Sequence, residues 1–281
     1  MFNPLKANAK LSWRYQKSYS NTFYYKGANI NYIKVGKGSS LLLLHGGGSF
    51  SYTYRNNIKE LSNIYTLYLI DMPGHGYSQI PLAWSYSLCD VSELLLCFAK
   101  EIIQGKFHLM GHSWGGGWAI YLKHLYPQLV LKTVLISPSG IKESNELDKS
   151  LYPYLKIKLF EFLISIFINF TVFKFTYQHS LLFDKNKISL KELKVLYSSF
   201  IKKNNLSSQA KYQKKLDWSL TENPSKSLKD TLIIWGREDK FYPLEMMNKY
   251  HADKLIMNHC GHLPHEERSE YFNQIIIKFL N

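Results

Sequence analysis

The stretch Phe107-His108-Leu109-Met110-Gly111-His112-Ser113-Trp114-Gly115-Gly116-Gly117-Trp118 decides the fold. At its centre, Gly111-His112-Ser113-Trp114-Gly115 has the form G-x-S-x-G. A short apolar run precedes it, and residues 115–125 can form a helix after it. A strand ending at Met110 and a helix beginning after Ser113 leave only a sharp turn between them. A serine on such a turn holds its hydroxyl out. Glycines on either side let the neighbouring backbones approach without a Cβ clash. The helix that follows points its positive end at the same spot. A Gly-rich turn with a chance serine has the same spelling, so the residues downstream must decide.

The flanking sequence sets the frame. Leu41-Leu42-Leu43-Leu44 is a continuous apolar run, as a strand covered on both faces requires, and it ends in His45-Gly46-Gly47-Gly48-Ser49. Three successive glycines there let backbone N–H groups face a ligand closely. A phosphate cradle would use glycines in the same way, but neither G-x-x-x-x-G-K-[ST] nor G-x-G-x-x-G is present. Residues 65–70 form the next strand, closed by the loop Asp71-Met72-Pro73-Gly74-His75-Gly76-Tyr77-Ser78. Residues 23–33 read as a hairpin around Gly27 behind an irregular arm, with helices expected at 52–61 and 88–103, the latter stopped by Gly105. Strands at 130–136, 231–235 and 254–257 follow, with helices at 243–251 and 266–280. Strands alternating with helices give an α/β class, a mostly parallel central sheet with helices on both faces. From 141 to 228 the pattern changes to helical, aromatic, Lys-rich sequence. The expected organisation is a core of residues 1–140 and 229–281 with 141–228 inserted between two strands.

At 281 residues the chain is long enough for one such domain with an insertion. Cys89, Cys97 and Cys260 are odd in number and lack paired spacing, which argues against a disulfide framework or a zinc site. Nearly all the positive charge behind the net +14 is Lys, in a chain also rich in Asn, Ile, Tyr and Phe, a pattern that coding bias also produces. No compact Lys/Arg cluster interleaved with aromatics reads as a nucleic-acid site. Residues 1–20 have no apolar signal core, and the greasy stretch from Leu159 to Phe173 is interrupted by Glu161 and Asn169 and is short for a membrane span. A soluble cytoplasmic protein, monomer or homodimer, is the expectation.

A serine hydroxyl is a weak nucleophile near neutral pH and needs a base, which needs an orienting acid. In this motif class the chain order is serine, acid, histidine. The best-placed acid is Asp239, in the turn after strand 231–235, and the best-placed base is His262, in the loop after 254–257. Both turns fall at the carboxyl ends of parallel strands, where ligands bind in open α/β sheets. Glu238 reads as a solvated turn residue, and His259 and His265 as surface or capping residues. His112 should point away from Ser113, His45 and His75 hold loops together, and Cys260 is a small buried filler. An oxyanion hole needs two N–H donors. Trp114 supplies one and the glycine loop the other, Gly47 before Gly48, with Gly46 and Gly48 beside the substrate.

With these residues quoted, the chain resembles the α/β-hydrolase superfamily over nearly its full length outside the insertion. The motifs are His45-Gly46-Gly47, Asp71 to Ser78, Gly111 to Gly115, Trp235-Gly236-Arg237-Glu238-Asp239 and Gly261-His262. The resemblance implies an α/β-hydrolase fold, the triad Ser113, Asp239 and His262, a helical cap formed by 141–228, no metal and no organic cofactor. Ser rather than Asp at position 113 speaks against haloalkane dehalogenases and epoxide hydrolases. Asp71-Met72-Pro73-Gly74 lacks the Arg-Gly form of proline iminopeptidases. His45-Gly46-Gly47-Gly48 is similar to hormone-sensitive-lipase-like esterases, but the motif order fits the smaller esterase and C–C hydrolase group. The expected activity is carboxylic ester hydrolysis through an acyl-enzyme on Ser113. Thioesters or the C–C bonds of β-diketones are the runner-up substrates, and a lyase or binding protein on the same scaffold is the alternative class.

Residues 142–230 hold 16 Lys, no Arg and nine Asp or Glu, half of the net charge of +14. Lys202-Lys203, Lys211 and Lys214-Lys215 crowd one part, and the same insertion holds Tyr152, Tyr154, Phe160, Phe162, Phe167, Phe170, Phe173 and Phe175. The expected use is an aromatic face over an apolar acyl pocket and a Lys face toward an anionic substrate carrier or a lipid head group at a membrane surface. A solvated Lys face is the plainer alternative.

Overall fold

The computed structural model describes residues 13–140, 169–221 and 228–281. Eight strands form one sheet in the order β1-β2-β4-β3-β5-β6-β7-β8. They are β1 (Ser20–Tyr25), β2 (Ala28–Gly36), β3 (Ser39–Leu44), β4 (Tyr65–Ile70), β5 (Phe107–His112), β6 (Val130–Ile136), β7 (Thr231–Gly236) and β8 (Asp253–Met257). The β1–β2 hairpin runs antiparallel to its neighbours, and every pairing from β4 to β8 is parallel. Every residue of β5 and β7 is buried, as strands covered on both faces must be.

The register carries functional weight. Leu44 lies beside Ile70 and Gly111, and Ile136 lies beside His112 and Ile234. Their strands end level, so the loops that leave them, starting at His45, Asp71, Ser113, Ser137 and Arg237, open on one edge of the sheet.

Helices cover both faces. On one face α3 (Leu88–Phe98) and α4 (Trp114–Leu125) bury Val91, Leu95, Phe98 and Trp118. On the other, α2 (Ile58–Leu61) and α9 (Ser269–Leu280) bury Ile58, Leu61, Phe272 and Ile276.

Several element boundaries differ from the sequence reading. The arm before the hairpin contains a helix, α1 (Arg14–Tyr19). The helix expected over 52–61 breaks into a 3₁₀ turn, Ser51–Tyr54, and α2. Side chains of the break are pinned elsewhere: Tyr54 donates to the Leu44 carbonyl at 2.9 Å and Asn57 to the His265 carbonyl at 3.0 Å. Residues 88–103 do form one helical run, but it widens into a π turn over Ala99–Ile103 and is ended by Gln104 in the left-handed region, one residue before Gly105. Residues 243–251 hold a 3₁₀ helix, Leu244–Lys249. The terminal helix divides at Arg268 into α8 (Pro264–Glu267) and α9.

Between β6 and β7 lie α5 (Phe170–Thr176), a π turn (Tyr177–Leu181), α6 (Leu190–Phe200), α7 (Lys203–Lys215) and a 3₁₀ turn (Trp218–Thr221). Among the described residues the insertion is thus helical. Its residues 141–168 and 222–227 lie outside them, and with them Tyr152, Tyr154, Phe160, Phe162 and Phe167. Among the described residues no helix is long and apolar enough to cross a membrane.

A Cβ on Gly111 would stand 2.2 Å from the Gly115 carbonyl oxygen, whereas one on Gly105 meets nothing within 4 Å. Gly111→Ala should therefore cost about 3 kcal/mol or more, because backbone must move. Gly105→Ala should be neutral or stabilising by up to about 1 kcal/mol. Thermal melts of the two variants check this.

Candidate active site

Ser113 joins β5 to α4 at φ 51° and ψ −119°. A non-glycine residue holds this conformation, at about 1–3 kcal/mol, only where its surroundings over-determine it. Here they do. The Ser113 N–H donates to the Ile136 carbonyl at 3.0 Å. Its own carbonyl accepts from the amides of Gly116 at 2.8 Å, Gly117 at 3.2 Å and Ser139 at 3.0 Å, and from Ser139 Oγ at 3.1 Å. A Cβ on Gly115 would sit 2.3 Å from the Leu44 carbonyl, so the start of α4 is wedged against the end of β3.

Asp239 and His262 meet. His262 Nδ1 lies 2.8 Å from Asp239 Oδ2, with both side chains buried. The other carboxylate oxygen accepts from the amides of Phe241 at 2.9 Å and Tyr242 at 2.8 Å, which fixes its plane. A carboxylate can only accept, so Nδ1 carries the proton and Nε2 is the acceptor nitrogen of the ring. Glu238 is not a solvated turn residue: it is half-buried and accepts from the Cys260 amide at 2.9 Å, bracing the loop that carries His262. Cys260 is fully buried, and burial pushes its thiol up to about 12, as suits an inert filler.

The glycine loop lies on the turn at Ser113. A Cβ on Gly46 would stand 3.1 Å from Ser113 Cβ, and one on Gly47 would stand 2.6 Å from the Trp114 ring. Gly47 is exposed, beside buried Gly46. Gly48, at φ +71°, turns instead to the inserted helices, where a Cβ would meet Gln209 Oε1 at 3.0 Å and the Phe200 ring at 3.3 Å. Two buried side chains brace this loop. Asp71 accepts from the amide of Ser51 at 2.8 Å, from that of Tyr77 at 3.0 Å and from Asn31 Nδ2 at 2.9 Å. His45 is kept neutral by burial, and its Nε2 accepts from the Met72 amide at 3.0 Å while Nδ1 donates to the Gly46 carbonyl at 2.8 Å.

His112 points toward the His262 loop. Its Nε2 donates to the His262 carbonyl at 2.9 Å, and burial holds its ring neutral. His265 is not a surface residue. It is fully buried, 4.8 Å ring to ring from His112, with Nε2 at 2.8 Å from Thr53 Oγ1. Thr53 in turn donates to Glu266 Oε1. Glu266 pairs with Arg55 at 2.7 Å, and Arg55 reaches Glu192 of α6 at 2.7 Å. Glu267 points the other way. It accepts from the amides of Gly261, Phe183 and Asp184 at 2.7, 2.8 and 3.1 Å. Burial still pushes this carboxyl up to about 7. His259 is exposed, against the Phe183 ring.

Against the Trp114 ring packs Tyr212 of α7, which the sequence reading missed. Its ring lies 6.1 Å from Trp114, 5.5 Å from His75 and edge-on to Tyr86 at 4.9 Å, and its hydroxyl accepts from Trp84 Nε1 at 3.2 Å. Ala83 and Tyr86 hold φ of 55° and 66° in the segment that brings the two rings there. The one available signal was Tyr212 as the single aromatic of a Lys-rich helix. Lys202 belongs to no open Lys face: its ammonium donates to the Gly76 carbonyl at 2.8 Å and sits 4.3 Å over the Tyr77 ring. The aromatics of α5 also divide. Phe173 is buried against Tyr197 and Phe200, and Phe175 is 61% exposed. Among the described residues no three His, Cys, Asp or Glu side chains converge to hold a metal ion.

Fold and site together define the α/β-hydrolase class. Residues 40–269 match the model of the alpha/beta hydrolase fold family, and the chain belongs to that family. It is 26% identical over 280 residues to mouse epoxide hydrolase 4, covering 90% of this chain and 77% of that protein. It is 26% identical over 282 residues to the 2-hydroxy-6-oxononadienedioate/2-hydroxy-6-oxononatrienedioate hydrolase of Burkholderia vietnamiensis, covering 89% and 90%. The meta-cleavage product hydrolase CumD of Pseudomonas fluorescens IP01 shares the fold, with a TM-score of 0.76 at 23% identity over 94% of this chain and 98% of that one.

The Arg55–Glu266 pair is nearly closed to solvent, with side chains 7% and 0% exposed, whereas the Lys26–Glu93 side chains are 42% and 51% exposed. Glu266→Ala leaves a buried cation short of a partner and should cost about 3–5 kcal/mol. Glu93→Ala should cost less than about 1 kcal/mol. Guanidinium denaturation midpoints compare them.

Proposed function

We propose that this hydrolase cleaves carboxylic esters of small molecules through an acyl-enzyme on Ser113. His262 Nε2 takes the Ser113 hydroxyl proton as Oγ bonds to the carbonyl carbon. The amides of Gly47 and Trp114 donate to the resulting oxyanion. The imidazolium gives its proton to the alkoxide as the ester C–O bond breaks. Water then attacks the acyl carbon, losing a proton to His262, which passes it to Ser113 Oγ as the acyl bond breaks and the acid leaves. Asp239 stays ionised throughout, fixing the tautomer and stabilising the imidazolium. Residues 141–228 act as the cap, with Tyr212 as part of its roof.

The observation that carries this reading is the buried His262–Asp239 bond of 2.8 Å, on a loop that His112, the neighbour of Ser113, holds by a hydrogen bond. An epoxide hydrolase would need a carboxylate where Ser113 stands, so the likeness to epoxide hydrolase 4 does not extend to that chemistry. Hydrolysis of a carbon–carbon bond beside a ketone is the second reading. It uses the same residues, and it is favoured by the relatives named as 2-hydroxy-6-oxo-dienoate hydrolases.

A panel of p-nitrophenyl esters beside a 2-hydroxy-6-oxo-dienoate separates the two. Turnover of the dienoate with no ester turnover would replace the first reading with the second. Ser113→Ala should fold normally and lose turnover by about a thousandfold or more. Asp239→Asn should cost about three to four orders of magnitude in kcat, and Glu238→Gln less than about tenfold. Substantial activity in Ser113→Ala would refute the acyl-enzyme route.

A further inference from the structure

We infer that Glu267 is a positioning residue for the His262 imidazole, and that its carboxylate fixes the base loop and the returning segment of the insertion as one unit. The inference rests on the hydrolase reading for the role it gives His262.

His262 is held by its backbone from three sides. The preceding amide, Gly261 N–H, donates to Glu267 Oε1 at 2.7 Å. Its own N–H donates to the Leu181 carbonyl at 2.7 Å. Its carbonyl accepts from His112 Nε2 at 2.9 Å. Leu181 is the last residue of the π turn in the insertion. The segment after it is pinned by the same carboxylate: Glu267 Oε2 accepts from the amides of Phe183 at 2.8 Å and Asp184 at 3.1 Å. Each oxygen therefore serves a different stretch of chain, one the base loop and the other the insertion.

The two stretches touch with no room to spare. A Cβ on Gly261 would stand 2.5 Å from the Leu181 carbonyl oxygen and 2.9 Å from the Phe183 nitrogen. Only glycine permits this approach, and an acceptor between the two stretches satisfies the amides it brings together. The local sequence explains how Glu267 gets there. Pro264 opens the single turn α8, and Glu267 closes it with its amide on the Leu263 carbonyl at 2.9 Å. One turn after His262, the side chain returns alongside the loop.

Removing the carboxylate leaves three amides without their acceptor, one of them next to the base. The imidazole then loses its fixed place relative to Asp239 and Ser113. A misplacement of about 1 Å at a catalytic group costs up to about a hundredfold. Glu267 touches neither substrate nor reacting atoms, so the loss should fall on kcat and spare KM.

The test uses the full chain with Glu267→Ala and Glu267→Gln. Glutamine is nearly isosteric but must set an NH₂ against either Gly261 or the Phe183–Asp184 pair. Five quantities are read: the thermal midpoint, kcat and KM on p-nitrophenyl acetate, the rate of Ser113 phosphonylation by a fluorophosphonate per site finally labelled, and the low-field proton resonance of the His262–Asp239 bond. The expected result is a kcat loss of about tenfold or more for Gln and larger for Ala, with KM changed less than about threefold. The phosphonylation rate per labelled site should fall in step, and the low-field resonance should shift or broaden. Should Ala not fold, Gln decides. A folded Gln variant with kcat within about twofold of the parent and an unmoved resonance overturns the inference. So does a loss explained wholly by fewer labelled sites, which is the signature of stability alone. The low-field proton is present whatever the substrate. A parent protein inert to ester and fluorophosphonate would therefore refute the ester reading, while the resonance still judges Glu267.

Discussion

One constraint governs the molecule: β5 must become α4 within a single residue, Ser113, at φ 51° and ψ −119°. Nothing intrinsic to serine favours that conformation, so the neighbours enforce it. Gly111 and Gly115 face each other at a distance no Cβ tolerates. The Ser113 carbonyl is caught by the amides of Gly116, Gly117 and Ser139, and its N–H by β6. The turn therefore exists only where β3, β5 and β6 lie side by side in their observed register. Strain at Ser113 is a product of the whole sheet, and its cost is carried by the burial of strands far from the site.

A second shared feature is the polar layer behind the imidazole. Glu266 and Glu267 are adjacent in sequence and splay apart, one to Arg55 and Thr53, the other to backbone amides. Through Arg55 the first reaches Glu192 in α6, and through Phe183 and Asp184 the second reaches the segment that leads into it. Core and insertion are thus joined by charged groups gathered around one short turn. Such a layer is costly unless its members are satisfied. His112 Nδ1, His265 Nδ1 and one Arg55 amine nonetheless have no partner among the described residues. Burial keeps both imidazoles neutral.

How far the chain could be read in advance varies with the range of the interactions. The strands and the pentapeptide around Ser113 were legible because they depend on local chemistry: apolar runs, glycine, and turn residues at fixed offsets. Leu41 to Leu44, 65–70 and 130–136 are strands as the apolar runs require. The order serine, aspartate, histidine pointed to Asp239 and His262, and the structure brings those two together. Boundaries failed where tertiary contacts overrode periodicity, as at Tyr54 and Asn57, whose side chains bond to β3 and to the turn after His262.

Sequence by itself therefore determined the fold class, because apolar runs and turn residues at fixed offsets are local patterns, and it pointed to Ser113, Asp239 and His262 as residues that could carry chemistry. Only the tertiary structure decided what the remaining polar residues do. His265 reads as a surface or capping histidine and is buried, Glu238 reads as a solvated turn and braces the loop that carries His262, and Lys202 reads as surface charge and packs on Tyr77. Tyr212 is one aromatic in a polar helix until α7 lays it against Trp114 and Trp118. A buried or paired state belongs to two stretches of chain at once, and no single stretch encodes its partner.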